Sequence, residues 1–131
     1  MRMTLRQGGY NALNLYFTKG AGVGLLGSCW FPDSVEPKST EFYRDGCIIR
    51  SSTMPGGGEV DASLGKTTVH EVGHWFGLMH TFEGGCTGDG DFIEDTPAEA
   101  TPARGCMVGR DTCPDQLGAD PINNFMDYSA E

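Results

Sequence analysis

HEVGHWFGLMH, residues 70–80, contains every histidine of this 131-residue chain. His70 and His74 are four residues apart, so on a helix they project from one face, one turn apart. Gly77 can adopt the left-handed conformation that ends a helix, and this turn would bring His80 back towards the other two histidines. Three imidazole nitrogens that leave a fourth position open for water are typical of a catalytic zinc site. The stretch therefore predicts three zinc ligands on a helix that ends at a sharp turn.

Glu71 directly follows the first histidine, close enough to the open metal position to take the proton of a bound water. A structural zinc site is the plainer alternative, but such sites usually have four protein ligands, often cysteines, and this stretch has no cysteine. Another alternative is a HExxH hydrolase whose third ligand is a distal glutamate. Gly77 and His80 argue against it, because they complete the longer HExxHxxGxxH pattern.

The long histidine pattern resembles that of the metzincin metalloproteases. NFMDYS, residues 124–129, supports the resemblance, because Met126 matches the methionine that metzincins place in a tight turn beneath the zinc. Taken alone, Met126 is equally well read as core filler. HEVGHWFGLMHTFEGGC (residues 70–86), GDFIEDTP (residues 90–97) and NFMDYS together resemble the pappalysin family, and within it the secreted endopeptidases of fungi and microbes. The resemblance extends from about Gly8 to Ser129.

The resemblance implies an α+β fold of the metzincin type. Its catalytic domain would have a small mixed sheet and an active-site helix, followed by a loop-rich lower part with the methionine turn. We therefore expect residues 1–131 to be one partial catalytic domain, with its upper part at residues 1–77 and its lower part at residues 78–131. The metzincin pattern also implies that Tyr128 lies near the zinc, where its hydroxyl would stabilise the oxyanion. Packing with a hydrogen-bonded hydroxyl is the alternative role for this tyrosine.

Hydrophobic runs and turn residues predict three short strands, at residues 13–17, 24–30 and 47–51, with a polar loop at residues 32–44. A helix is predicted to begin with Ser63 as its N-cap and to end near Phe76. Its apolar face would pack in the core and leave the zinc-binding histidines on the other face. That apolar face consists of Leu64, Thr68, Val72, Trp75, Phe76 and Met79.

Glycines in the second predicted strand are typical of an edge that another backbone approaches closely. We expect an extended peptide substrate to add backbone hydrogen bonds to this strand. The substrate-binding residues would be Gly24, Leu25, Leu26 and Gly27. Glu131, near the end of the methionine-turn segment, would form an acidic wall of the pocket after the scissile bond and favour basic side chains.

Five cysteines in so short a chain favour an oxidising compartment and hence a secreted protein. Cys29 and Cys47 flank one loop and are predicted to pair. Cys86 and Cys113 flank another, and the family resemblance pairs them too. Cys106 then stays unpaired, since its partner in the family follows the methionine turn.

Residues 84–121 form a long segment rich in glycine, aspartate, proline and threonine, with many acidic side chains. Such a segment is usually functional or held by cross-links. One interpretation is a solvated acidic surface. The other is a calcium site, because calcium prefers several carboxylate and carbonyl oxygens and the resemblance implies calcium in this loop. The predicted ligands are Asp91, Asp95 and Thr96.

The net charge of −9 disfavours nucleic acid as a partner, and no apolar run is long enough to span a membrane. Residues 1–20 show no signal-peptide pattern, so we expect a piece of a catalytic domain rather than a complete secreted precursor. The predicted function is a secreted zinc endopeptidase that hydrolyses protein or peptide substrates through a zinc-bound water activated by Glu71. The alternative is a truncated fragment that binds zinc and peptide without turnover; the oligomeric state is not predicted.

Overall fold

The computed structural model describes residues 1–129, and the chain divides into two compact units, Met1–Gly77 and Leu78–Glu131. All regular elements of the described residues belong to the first unit. Its three strands are β1 (Leu15–Thr18), β2 (Gly27–Cys29) and β3 (Cys47–Arg50). They form one sheet in the order β1-β3-β2, with β1 parallel and β2 antiparallel to β3. The prediction of a small mixed sheet is therefore confirmed.

Three helices accompany the sheet: α1 (Arg2–Leu5), α2 (Thr40–Arg44) and α3 (Lys66–Trp75), and a 3₁₀ turn at Ser51–Thr53 follows β3. The α+β class is thus confirmed. None of these helices is long and apolar enough to cross a bilayer, as far as the described residues extend.

The second predicted strand was too long, because β2 contains only Gly27–Cys29 of residues 24–30. The chain turns just before it, where the Leu25 N–H donates a hydrogen bond to the Gly22 carbonyl at 3.4 Å. Gly24, Leu25 and Leu26 therefore lie outside the strand. The first strand begins two residues later than predicted, at Leu15, and the third ends at Arg50.

The predicted polar loop at residues 32–44 was wrong in its last part, where α2 forms. Ser39 caps this helix, since its hydroxyl accepts a hydrogen bond from the Phe42 N–H at 3.0 Å. Glu41 in the first turn and Arg44 in the last turn suit the helix dipole. The serine N-cap at Ser39 and the acidic Glu41 in the first turn were the signal for this helix, and so short an element is easily missed.

The start of the active-site helix was also predicted incorrectly. Gly65, with a left-handed φ of 87°, separates Ser63 from the first helical residue, Lys66, and Gly65 caps the helix without a side-chain hydrogen bond. The expected apolar stripe is wrong at two positions, since Leu64 and Phe76 are 65% and 69% exposed. The buried residues of α3 are instead polar, namely Glu71 and His74. The hydrophobic pattern therefore predicted the wrong buried face, because α3 buries the face that carries Glu71 and His74.

Strand β3 is the centre of the first unit, with Cys47 and Ile49 completely buried. Helix α3 packs on β2 and β3. A disulfide joins Cys29 to Cys47, which are register partners in the antiparallel pair. The sheet and the cross-link together give α3 a rigid platform.

The second unit is held by a disulfide and a polar network instead of regular structure. Cys86 is joined to Cys113, while Cys106 is free and exposed. Arg110 donates hydrogen bonds to the buried Glu99 carboxylate and, at 2.6 Å, to that of Asp120. Burial raises the pKa of Glu99, and the hydrogen bond from the Thr81 hydroxyl at 2.7 Å opposes that shift.

Candidate metal centre

His70 and His74 lie one turn apart on α3, and their Nε2 atoms are 3.1 Å apart. Two nitrogen ligands of one tetrahedral zinc, each about 2.0–2.1 Å from the metal, would be separated by roughly 3.3 Å. The observed separation fits this requirement to within a few tenths of an ångström. The His74 ring is buried and contacts Phe31, with ring centroids 5.0 Å apart, which fixes its orientation.

Helix α3 ends at Trp75, one residue after His74, as the glycine in the motif predicts. Gly77 has a left-handed φ of 93°, and its N–H donates to the His74 carbonyl at 2.9 Å. A residue with a side chain would be strained in this conformation. The turn therefore releases the chain from the helix axis before His80.

Glu71 is buried, with 7% of its surface exposed. Burial raises the pKa of Glu71 to about 7, and a hydrogen bond donated by the Cys29 N–H opposes that shift. A carboxyl group with a pKa near neutrality can both accept and release a proton under physiological conditions. This property is the one that a general base next to a metal-bound water requires.

Strand β2 lies at an edge of the sheet among the described residues. The Arg50 N–H donates to the Leu26 carbonyl at 2.8 Å, which sets the antiparallel register. In that register Gly27 and Cys29 direct their backbone N–H groups away from β3. An open groove of about 470 Å³ follows the strand along residues 28–33. This edge therefore has space for an extended ligand, although the Cys29 N–H is already bonded to the Glu71 carboxylate.

His80, in the second unit, is surrounded by aromatic rings. It stacks on Phe82 with centroids 4.8 Å apart and meets the Tyr128 ring edge-on at 4.9 Å. The structure thus places Tyr128 against a predicted metal ligand, with 44% of the tyrosine exposed.

Met126 is buried in a tight turn of the second unit. Its carbonyl accepts a hydrogen bond from the Thr81 N–H at 3.3 Å, which links the turn to the residue after His80. The Asp127 carboxylate accepts hydrogen bonds from the N–H groups of Ala103, at 2.9 Å, and Tyr128, at 2.7 Å. The turn is thus a fixed feature of this unit.

Each of the three histidines offers one ring nitrogen to a metal ion. Imidazole nitrogens suit zinc, and three of them leave a coordination position for water. The residues present therefore fit a zinc ion both in their chemistry and in the spacing of the two helical ligands.

The predicted calcium ligands are less clearly arranged. Asp91 is buried, and its Oδ1 accepts a hydrogen bond from the Ile93 N–H at 3.0 Å, whereas Asp95 is exposed. Within residues 1–129, no group of three acidic, histidine or cysteine side chains forms around Asp91. The predicted role of Glu131 lies outside the described residues.

Sequence reasoning missed two contributors to this centre. Neither the Cys29 N–H that binds the Glu71 carboxylate nor the Phe31 ring against His74 belongs to a motif. The sequence carries no signal for either, because both contacts depend on how β2 and α3 pack together.

Comparison with known proteins gives a consistent result. A family model described as pregnancy-associated plasma protein-A, a peptidase family, matches residues 12–131. An extracellular metalloprotease of Colletotrichum graminicola is 58% identical over 131 residues, which cover 100% of this chain and 46% of that protein. Extracellular metalloprotease 1 of Coccidioides posadasii is 56% identical over 131 residues, with 100% and 47% covered. The chain thus spans about half the length of these curated relatives.

A solved structure is also similar. Mature mirolysin of Tannerella forsythia, in complex with a cleaved peptide, matches with a TM-score of 0.76 and 30% sequence identity. The match covers 93% of this chain and 46% of that one.

Proposed function

Because the chain belongs to the pappalysins, the peptidase family of pregnancy-associated plasma protein-A, we propose that it contains the catalytic centre of a secreted zinc endopeptidase. The observation that carries the proposal is a buried carboxylate, Glu71, beside two histidines whose Nε2 atoms are 3.1 Å apart. The names of the relatives and the two disulfides support secretion. Protein or peptide is the proposed substrate.

The proposed zinc ligands are the Nε2 atoms of His70 and His74 together with a ring nitrogen of His80. Zinc bound there would lower the pKa of a coordinated water and polarise the scissile carbonyl. The Phe82 and Tyr128 rings against His80 would hold its imidazole in place. Neutral imidazole is the binding form, so zinc affinity would weaken in acid.

Glu71 is the proposed general base. Its carboxylate would take a proton from the attacking water and pass it to the leaving amine. Burial makes this carboxylate more basic than an exposed one, which suits proton uptake. Tyr128 is proposed to donate its hydroxyl to the oxyanion that forms on the scissile carbonyl.

An extended substrate is proposed to pair with the edge of β2 through backbone groups other than the Cys29 N–H, which binds Glu71. Gly24, Leu25 and Leu26 precede this strand and would contact the substrate through their backbone, as would Gly27. The groove along residues 28–33 would receive a substrate side chain, and exposed Trp30 and Phe31 would favour an apolar one.

We also propose a calcium ion in the acidic segment, bound by Asp91, Asp95 and Thr96. What supports it is the buried Asp91 carboxylate, for which only one hydrogen-bond partner is found in the loop. Backbone carbonyls would have to complete such a site, because calcium takes six to eight oxygen ligands or so.

The proposed function is tested by zinc analysis and peptide hydrolysis of the purified chain and two variants. Glu71→Ala should keep one zinc per chain and lose about 10²–10⁴-fold in turnover, since it removes only the base. His80→Ala should lose zinc, whereas a site with a distal glutamate ligand would keep it.

Near-normal turnover by Glu71→Ala would contradict the proposed mechanism. Zinc binding without any turnover by the unmodified chain would favour the alternative of a zinc- and peptide-binding fragment. The two results are distinguishable, because the first concerns the role of one residue and the second concerns the activity itself.

A further inference from the structure

Gly27 occupies the face of β2 that points towards α3. Its register partner is Ile49, which is completely buried, and the next residue on that face is the disulfide-bonded Cys29. Gly27 does not have a positive φ, so its backbone conformation is open to any residue. The need for glycine at this position must therefore come from space.

The space that a side chain at Gly27 would need is filled by Glu71. A Cβ built on Gly27 would lie 2.5 Å from Cγ, 2.7 Å from Oε1 and 2.8 Å from Cδ of Glu71, and real Cβ atoms essentially never approach heavy atoms closer than 3.0 Å. Cγ is the second carbon of the Glu71 side chain, so a rotation of the carboxylate alone would not relieve the contact. The whole side chain would have to turn about its Cα–Cβ bond.

Strand β2 also holds the Glu71 carboxylate through the backbone of Cys29, two residues further along the strand. The Cys29 N–H donates a hydrogen bond to it, and the disulfide to Cys47 fixes Cys29 on the central strand. Sγ of Cys47 lies 3.6 Å from the Glu71 carbonyl oxygen; this is a packing contact, since a disulfide sulfur carries no proton. The side-chain carboxylate and the backbone carbonyl of Glu71 thus both contact residues of the sheet.

We infer that Gly27 is a positioning residue: the missing side chain forms the slot that holds the Glu71 carboxylate against the Cys29 N–H. This inference rests on the proposed role of Glu71 as general base. It gives Gly27 a role that differs from binding substrate through its backbone. A methyl group in the slot would meet the Glu71 side chain before any other residue and would expel the carboxylate.

Kinetics of the zinc-loaded chain give the first test. Gly27→Ala should keep full zinc content and a KM close to that of the unmodified chain, while kcat falls about 10- to 100-fold, the scale of a misplaced catalytic group. In a Glu71→Ala background the same change should cost nothing further, since the carboxylate is already absent. An additional loss of kcat in that background would show that Gly27 acts through something else.

Two other glycines of the first unit serve as matched controls. A Cβ at Gly20 would meet nothing within 4 Å, so Gly20→Ala should leave kcat and the melting temperature unchanged. A Cβ at Gly57 would lie 2.3 Å from the Ser52 carbonyl oxygen, a backbone atom. Gly57→Ala should therefore lower the melting temperature but not kcat per zinc-loaded, folded molecule, which separates a packing defect from a displaced base.

A second readout does not depend on turnover. In nuclear magnetic resonance spectra, the Cys29 amide of the unmodified chain should be protected from hydrogen exchange by its bond to Glu71. In Gly27→Ala its exchange should accelerate about tenfold, to the rate in Glu71→Ala, because both lose a hydrogen bond to a charged group. A Cys29 amide that keeps its original protection in Gly27→Ala would overturn the inference, even if kcat has fallen.

The folding of the variants provides a final check. If Gly27→Ala does not fold, the double variant with Glu71→Ala must fold as well as Glu71→Ala alone, because the clashing atoms are gone. Failure of the double variant would show a different clash and would overturn the inference. A chain that proves inactive would contradict the proposed function only, since the Cys29 amide still reports where Glu71 lies.

Discussion

Asp45 is the residue on which the N-terminal segment and the active-site helix converge. Its carboxylate forms an ion pair with Arg6 at 2.8 Å and accepts a hydrogen bond from the Trp75 indole N–H at 2.8 Å. The side chains of Arg6 and Asp45 are only 2% and 4% exposed. The Arg6 guanidinium also lies over the Phe42 ring, 4.3 Å from its centroid. A surface ion pair would contribute little, but this one is enclosed on all sides.

Asp45→Ala should therefore destabilise the chain by about 3–5 kcal/mol, because it leaves a buried guanidinium without its counter-ion. Thermal or denaturant unfolding measures the loss. Glu36→Ala, an exposed acidic position, is the control and should have little effect. An unfolding midpoint of Asp45→Ala equal to that of the control would contradict this account of the ion pair.

At the scale of single residues, the sequence could predict a site whose residues are close along the chain and could not predict contacts between distant residues. His70, Glu71, His74 and His80 were proposed as site residues because a metal site on a helix imposes a fixed spacing within a few residues. The close approach of Glu71 to Gly27 and the bond from Trp75 to Asp45 were not predicted, because these partners lie 44 and 30 residues away along the chain. No local spacing encodes a partner brought close only by the packing of a helix on a sheet.

At the scale of elements, one end of α3 was predicted correctly from the sequence and the other was not. Its C-terminal end was predicted correctly, since Gly77 both belongs to the motif and has the left-handed conformation that stops a helix. Its beginning was not, because Gly65 interrupts the segment that follows Ser63. The hydrophobic pattern also misled, since this helix buries Glu71 and His74 while Phe76 is exposed. A helix that buries polar side chains departs from simple amphipathicity.

The long segment at residues 84–121 contains no helix or strand in the described chain, so its order depends on a disulfide and on side-chain hydrogen bonds. The disulfide between Cys86 and Cys113 closes a loop with a sequence separation of 27. In a chain-entropy model, that closure contributes roughly 3–4 kcal/mol. Arg110 adds hydrogen bonds to Glu99, Asp120 and Thr101. These contacts concentrate near Arg110, away from the acidic part around Asp91 and Asp95, where calcium is proposed to bind.

If calcium binds there, the melting temperature should rise with calcium and fall in a calcium-selective chelator, with zinc kept saturating in both. A hundredfold excess over the dissociation constant would stabilise the folded chain by roughly 2.7 kcal/mol. Asp91→Asn should abolish this dependence, and Glu36→Asn, at an exposed position in the other unit, should retain it. Identical melting temperatures in calcium and chelator would leave the acidic segment as a solvated surface.

At the scale of the whole molecule, the class of the fold was predicted better than its topology. The family motifs, together with three predicted strands and one predicted helix, led to a small mixed α+β fold. The order β1-β3-β2, in which the last strand lies in the middle, was not predicted. The order of strands depends on which of their edges are paired with neighbours. Apolar residues such as Cys47 and Ile49 indicate a buried face, and they do not reveal that both edges of β3 are paired.

The net charge of −9 is a property of the whole chain that bears on how substrates arrive. A negative field raises the local concentration of cationic ligands and speeds their encounter, and salt screens it. The screening length falls from about 30 Å at 0.01 M salt to about 8 Å at 0.15 M. The effect should appear in kcat/KM and not in kcat, because it acts before the substrate is bound.

We therefore predict opposite salt responses for two peptides that share one cleavable segment and differ only in a distant tag of lysines or glutamates. As salt rises over this range, kcat/KM should fall severalfold for the lysine-tagged peptide and rise for the glutamate-tagged one. An untagged peptide, as the control, should respond little, since it carries no charge for the field to act on. If all three peptides respond alike, salt is acting on the catalytic centre or on folding, and the net charge of the chain does not steer its substrates.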